Sequence, residues 1–277
     1  MKKGREIHGR PRRLRLTALP AALAAVLLLV LLPAPARASG QLTIAAAADL
    51  QYAMHALIVK FERQTGAHVR LVLGSSGNIT TQIEHGAPYD LFFSADVEHP
   101  EILKREKLIV PGSLRRYAVG RLVVYVPKGS KLDFAREGLA ALTDPSVQKI
   151  AIANPRFAPY GRAAVAALRH VGLYERLRPL IVLGEDVSQT TQFVVSGNAQ
   201  AALTALSLMF APGTRSRGNY WIVPAADYPP IEQAVVIVGR STEKPLAQAF
   251  LHFAASSEGR SIFRDYGFTV PAPEKGQ

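Results

Sequence analysis

The chain predicts an α/β protein of two lobes, each a mixed, mostly parallel sheet flanked by helices, joined by a hinge that the chain crosses twice. Three observations lead there. Short apolar strands alternate with helical patterns along most of the chain, as βα layers require. A fresh set of such units begins near Arg121, after an earlier set that ends near residue 110. A last strand from Gln233 and two helices follow, and they return naturally to the first lobe. The lobes are then 39–120 plus 234–277, and 121–233. A hinged cleft between two such lobes can close on a small ligand.

Leu42–Ala46 is a short apolar strand, after which Leu50, Ala53, Met54, Leu57, Ile58 and Phe61 form one helical stripe. Gly66 ends that helix as its C-terminal cap. Val69–Leu73 is the next strand, and it runs through Gly74-Ser75-Ser76-Gly77 into a helix that Gly86 ends. Asp90–Asp96 reads as a buried strand end, Pro100–Lys107 as a short helix and Arg121–Val126 as a strong strand. Ile150–Ala153 is a strand whose loop, Arg156–Gly161, leads to a helix through Leu168. Ile181–Leu183 precedes a helix opened by Gly184-Glu185-Asp186-Val187. Ala201–Leu206, Trp221–Val223 and Gln233–Val238 are strands, and Pro245–Ala255 and Gly259–Tyr266 are helices.

Residues 1–38 read as a cleavable export signal rather than as part of the fold. Lys2, Lys3, Arg5, Arg10, Arg12, Arg13 and Arg15 precede an apolar run from Leu16 to Pro33, and Ala36-Arg37-Ala38 has the small-x-small cleavage pattern. A membrane anchor is the competing reading; Pro20, Pro33 and the cleavage triplet weigh against it. The predicted location is therefore the periplasm. Arg12-Arg13 leaves the export route open between the general and twin-arginine systems. Without the segment the chain keeps 25 basic and 20 acidic residues, about +5 instead of +12. No basic stripe with interleaved aromatics remains, so a nucleic-acid partner is not supported. The absence of cysteine excludes disulfides, lipid acylation, thiolate metal sites and a thiol nucleophile. The histidines show no zinc-ligand spacing, and no cofactor is expected.

Four strand-to-helix junctions carry the chemistry: Ala46-Ala47-Ala48-Asp49, Ser75-Ser76, Pro159-Tyr160-Gly161 and Asp186-Val187-Ser188. The first N–H groups of a helix are unpaired and carry positive partial charge, so such a junction attracts an anion without any lysine or arginine. Each alone reads equally well as an ordinary cap, above all Asp49 and Asp186. Two junctions from each lobe facing one cleft would surround a small anion.

Ala45–Leu50, Gly74–Asn78, Gly184–Val187, Tyr266-Gly267-Phe268 and, most specifically, Gly86-Ala87-Pro88-Tyr89-Asp90-Leu91-Phe92-Phe93-Ser94-Ala95-Asp96 resemble the periplasmic molybdate-binding proteins of ABC importers. The resemblance runs from about Leu42 to Phe268. It implies a type II periplasmic-binding-protein fold, with molybdate or tungstate held between the lobes and delivered to a membrane permease. It also implies four ligand residues: Ser76 through hydroxyl and amide, Asp49 through its amide, Tyr160 through hydroxyl and amide from a loop position, and Val187 through its backbone N–H. Ser76 and Val187 would meet the metal only through the oxygens of the oxyanion. Family members without a tyrosine at the Tyr160 position carry one on a later strand, where this chain has Ala205. A monomer is expected.

Asp49 raises a physical difficulty, because a carboxylate aimed at a dianion in a low-dielectric cleft is strongly repelled. The favoured expectation is that its side chain turns away to cap its helix. Otherwise it accepts a proton from the ligand, which suits phosphate. Phosphate, sulfate or an organic anion is the rival ligand, to be told from molybdate by cavity size and donor count. A serine hydrolase is the rival of another class, with Ser76 as nucleophile and His85 as the formally available base. Gly-Ser-Ser-Gly is not the hydrolase elbow, and no enzyme activity is expected.

Overall fold

The computed structural model describes residues 40–272, together with Gly4. The export segment predicted for residues 1–38 therefore lies, Gly4 apart, outside the described residues. In chain order the elements are β1 (Gln41–Ala47), α1 (Gln51–Thr65), β2 (His68–Gly74), α2 (Ser76–Glu84), β3 (Leu91–Ser94), α3 (Glu98–Arg105), β4 (Arg115–Gly120) and β5 (Leu122–Pro127). Then come α4 (Phe134–Glu137), β6 (Ile150–Ala153), α5 (Pro159–His170), α6 (Tyr174–Leu177), β7 (Ile181–Gly184), α7 (Val187–Val195) and β8 (Ala201–Ala205). The last are α8 (Pro212–Arg217), β9 (Gly218–Ile222), β10 (Ile231–Ile237), α9 (Lys244–Ala255) and α10 (Ser257–Asp265). Gly66 closes α1 in the left-handed region at φ 72°, and its N–H donates to the Glu62 carbonyl.

Two five-stranded sheets result, ordered β2-β1-β3-β10-β4 and β7-β6-β8-β5-β9. In the first, β1 runs parallel to β2 and β3, while β10 is antiparallel to β3 and β4. The second repeats the plan: β6 is parallel to β7 and β8, and β5 is antiparallel to β8 and β9. Parallel pairing is thus confined to the strands of the βα units. The antiparallel half of each sheet comes from strands at the hinge. A single residue, Arg121, separates β4 in one sheet from β5 in the other, and the chain returns between Ile222 and Ile231. β4 is an edge strand that the sequence pattern does not announce, because it opens on the exposed pair Arg115-Arg116.

Both faces of the first sheet are covered. Along β3, Leu91 and Phe93 point into a core with Leu42, Ile44, Met54, Phe61 and Phe250, while Phe92 packs on the opposite face with Ile79, Ile83 and Leu103. The period-2 alternation of a strand sets this division. The second lobe has its own core around Val124, Ile152, Leu168 and Leu203. That core also takes in Ala47, Ala48 and Ala95 of the first lobe, so the junctions at the strand ends pack directly against the facing lobe.

Candidate anion-binding site

The ends of β1 and β2 in one lobe meet the starts of α5 and α7 of the other around a tight cavity of about 10 Å³, room for about one water molecule. Asp49, Ser76, Tyr160 and Val187 all line it, as do Ser75 and Ala95. No lysine or arginine does. A much larger depression, about 590 Å³, lies at Arg169, His170 and Asp227. That one is an open surface groove, whereas the two buried side-chain atoms without a hydrogen-bond partner among the described residues, Asp49 Oδ1 and Ser75 Oγ, both belong to residues of the small cavity. An unsatisfied buried polar atom costs stability and calls for an explanation. The small cavity is therefore the functional candidate.

The Gly-Ser-Ser-Gly turn does more than cap a helix. Ser75 is the extended N-cap residue of α2, yet its side chain makes no cap hydrogen bond. Ser76 is fully buried, and its Oγ accepts the Ala95 N–H at 3.0 Å. That bond fixes the hydroxyl oxygen and leaves its proton to donate elsewhere. The Gly86–Asp96 segment thus acts partly by delivering Ala95 to Ser76, and partly by anchoring itself. Asp90 Oδ2 accepts the Thr43 N–H at 2.7 Å, and its Oδ1 accepts the Ser241 hydroxyl at 2.7 Å. Ser75 is a residue the sequence reading passed over in favour of Ser76. Its one signal was the doubled serine.

Asp186 behaves as a cap, its Oδ1 accepting the Gln189 N–H at 2.9 Å, which leaves Val187 in the first turn of α7 facing the cavity. Tyr160 sits not in a loop, as the sequence reading had it, but in the first turn of α5, where Pro159 starts the helix one residue earlier. Its hydroxyl reaches the hinge. A Cβ on Gly120 would lie 2.1 Å from that oxygen, so only glycine admits the tyrosine there.

The capping expectation for Asp49 is overturned. Asp49 lies inside a short 3₁₀ turn, Ala48–Leu50, and makes no cap hydrogen bond with its side chain. Instead Oδ2 accepts from Gln233 Nε2 at 2.6 Å, and the Tyr160 hydroxyl stands beside the carboxyl group. Gln233 Oε1 in turn lies 2.7 Å from the Tyr117 hydroxyl. The Asp49 carbonyl accepts the Ser207 hydroxyl of the other lobe at 2.6 Å. Burial pushes the Asp49 carboxyl up to about 7, against Gln233, Tyr160 and the backbone N–H groups of Asp49 and Leu50, which pull it down. Burial first, and then the nearness of Asp49, push Tyr160 well above the usual phenol range.

Other contacts hold the lobes together around the cavity. The Gly77 N–H donates to the Phe157 carbonyl at 2.8 Å, and Ser188 Oγ donates to Gln51 Oε1 at 3.0 Å. Asn78 Nδ2 donates to Glu185 Oε1 at 3.1 Å. Arg162 pairs with Asp96, which also binds the His99 ring. Against burial, which raises it, His99 and Arg162 hold the Asp96 carboxyl below its usual range. His85, the base a hydrolase would need, is exposed at the far end of α2, bonded to the Thr81 carbonyl at 2.7 Å. No histidine hydrogen-bonds Ser76 among the described residues.

Two α/β lobes, joined by two crossings and enclosing a cavity lined by helix N-termini and by no lysine or arginine, define a type II solute-binding protein. The chain belongs to the family described as bacterial extracellular solute-binding protein, which matches residues 42–269. It is 36% identical over 233 residues to the molybdate-binding protein ModA of Rhodobacter capsulatus, covering 84% of this chain and 90% of that one. The ModA of Azotobacter vinelandii is 35% identical over 230 residues, covering 83% and 90%. The solved periplasmic molybdate-binding protein of A. vinelandii superposes with a TM-score of 0.78 at 34% identity, over 83% of this chain and 100% of that one.

Proposed function

We propose that this protein captures molybdate, or tungstate, between its lobes and delivers it to the permease of an ABC importer. The observation that carries the reading is the geometry of Ser76, a fully buried hydroxyl whose oxygen is occupied by the Ala95 N–H. Its proton is thereby free to donate into a cavity that holds no cation of its own. The first-turn N–H groups of Ser76, Tyr160 and Val187 and the amide of Asp49 complete the cradle, since N–H groups there lack acceptors in their own helices. Tyr160 contributes through its backbone, because its hydroxyl is turned toward Asp49 and Gln233. The relatives named for molybdate binding match across both lobes, which supports the choice of ion.

The role is binding without chemistry. Replacing the hydration shell of a dianion by fixed donors needs no nucleophile, and molybdenum enters only inside its own oxyanion. The protein works as a monomer in the periplasm after removal of residues 1–38. Hydrogen phosphate is the competing ligand, because a buried carboxylate can accept its proton.

Titration calorimetry of residues 39–277 with molybdate, tungstate, sulfate and phosphate tests the reading. Molybdate and tungstate bind tightly and phosphate does not. Phosphate binding with no molybdate response overturns it. Ser76→Ala weakens molybdate binding by about 1–3 kcal/mol, the range for removing a donor to a charged group. An unchanged affinity removes Ser76 from the site.

A further inference from the structure

Of the two acids that line the cavity, Asp186 caps its helix and Asp49 has no ordinary structural role. It is buried, it does not cap a helix, and Oδ1 makes no hydrogen bond of normal geometry. Oδ2 is already taken as an acceptor by Gln233 Nε2. The groups that face it offer no positive charge. Tyr117 comes from β4, Tyr160 from α5, Gln233 from β10 and Ser207 from the turn after β8. Asp186 of the facing junction is itself an acid, held by its cap bond. The Arg162 guanidinium is paired with Asp96, which also holds the His99 ring.

An ionised Asp49 beside a dianion would therefore put like charges together with nothing to balance them. An ionised carboxylate can only accept a hydrogen bond, and the oxygens of an unprotonated tetrahedral anion can also only accept. Adding a proton to Oδ1 turns the conflict into a contact. We infer that Asp49 is the specificity-determining residue of the cleft: with the anion bound its carboxyl is protonated and donates from Oδ1 to an oxyanion oxygen, so that each unprotonated dianion is captured together with one proton from solvent. The inference rests on the oxyanion reading above and adds a rule of selection. A protonated Asp49 favours anions that carry no proton, whereas an ionised one would favour hydrogen phosphate. Burial has already moved the carboxyl to about 7, so near neutral pH the proton is close at hand.

The sign of the pH dependence follows by linkage. Below about 7 Asp49 is neutral before binding, and affinity is level. Above that, a proton must be taken up, and affinity falls toward about tenfold per pH unit. The test is calorimetry with sodium molybdate at pH 6, 7, 8 and 9, in buffers of different ionisation enthalpy, for the wild type and Asp49→Asn. The expected result is uptake of close to one proton per ion at pH 8–9 in the wild type, and no uptake and no pH slope in Asp49→Asn, whose amide donates at every pH. Wild-type binding that is tight and level from pH 6 to 9 overturns the proton assignment and leaves the ligand reading standing. A slope that persists in Asp49→Asn overturns it too. Absence of molybdate binding by the wild type at every pH overturns the ligand reading, and this inference with it. Should Asp49→Asn not fold, proton uptake by the wild type decides by itself.

Discussion

At pH 8 the ligand-free Asp49→Asn protein melts well above the wild type, and at pH 4 the two melt together. The Asp49 carboxyl titrates near 7 in the fold and near 3.8 when unfolded. A group raised in this way contributes its full stability below the unfolded value, and loses it as pH rises through the folded one. Above about 7 the fold either holds a buried charge or keeps a proton that the unfolded chain would release. The difference between the two values corresponds to roughly 4 kcal/mol, at about 1.4 kcal/mol per pK unit. The neutral amide removes that cost while keeping the shape and the partner for Gln233. For a chain of this size the gain is on the order of 5–15 °C. Thermal melts of both proteins at pH 4, 6 and 8 check it. An Asn variant that is less stable than the wild type at pH 8 would show that the charge is compensated in the fold.

Gly77→Ala is expected to weaken molybdate binding by roughly 10- to 100-fold while leaving the ligand-free melting temperature nearly unchanged. A Cβ at this position would lie 2.9 Å from both Cα and O of Phe157 and 3.2 Å from His99 Nε2. Backbone cannot yield as a flexible side chain does, so the lobes must part. Overpacking of this kind costs about 1–3 kcal/mol. The cost falls on closure rather than on folding, because Phe157 belongs to the opposite lobe and alanine is the better helix former in α2. Calorimetry with molybdate, a thermal melt and small-angle scattering of the free protein separate the two effects. Equal affinity in the variant would mean that closure does not pass through the Gly77–Phe157 contact.

The two results bear on different features of one short turn. Gly74-Ser75-Ser76-Gly77 was legible as a strand-to-helix turn because its cues are local: an apolar strand, small residues and a helix start. Which glycine mattered for closure was not legible, since Phe157 lies in the other lobe. The same division holds for the fold. The βα units were readable from alternation and helical spacing, whereas β4 hid behind Arg115 and Arg116, and its place beside β10 depends on residues more than a hundred positions later.

Asp49 marks the boundary most sharply. A local rule assigns an aspartate at a helix start to capping, and at Asp186 that rule holds. At Asp49 it fails, because Gln233, 184 residues away in the chain, draws the carboxyl toward the hinge. Short-range pattern was enough for the two α/β lobes and for the four helix starts at their facing ends. Only the tertiary structure decided that Asp49 Oδ1 and Ser75 Oγ are buried without partners and that Gly77 meets Phe157 across the cleft. Desolvation and steric contact are set by whichever distant atoms arrive alongside, and no local spacing records them.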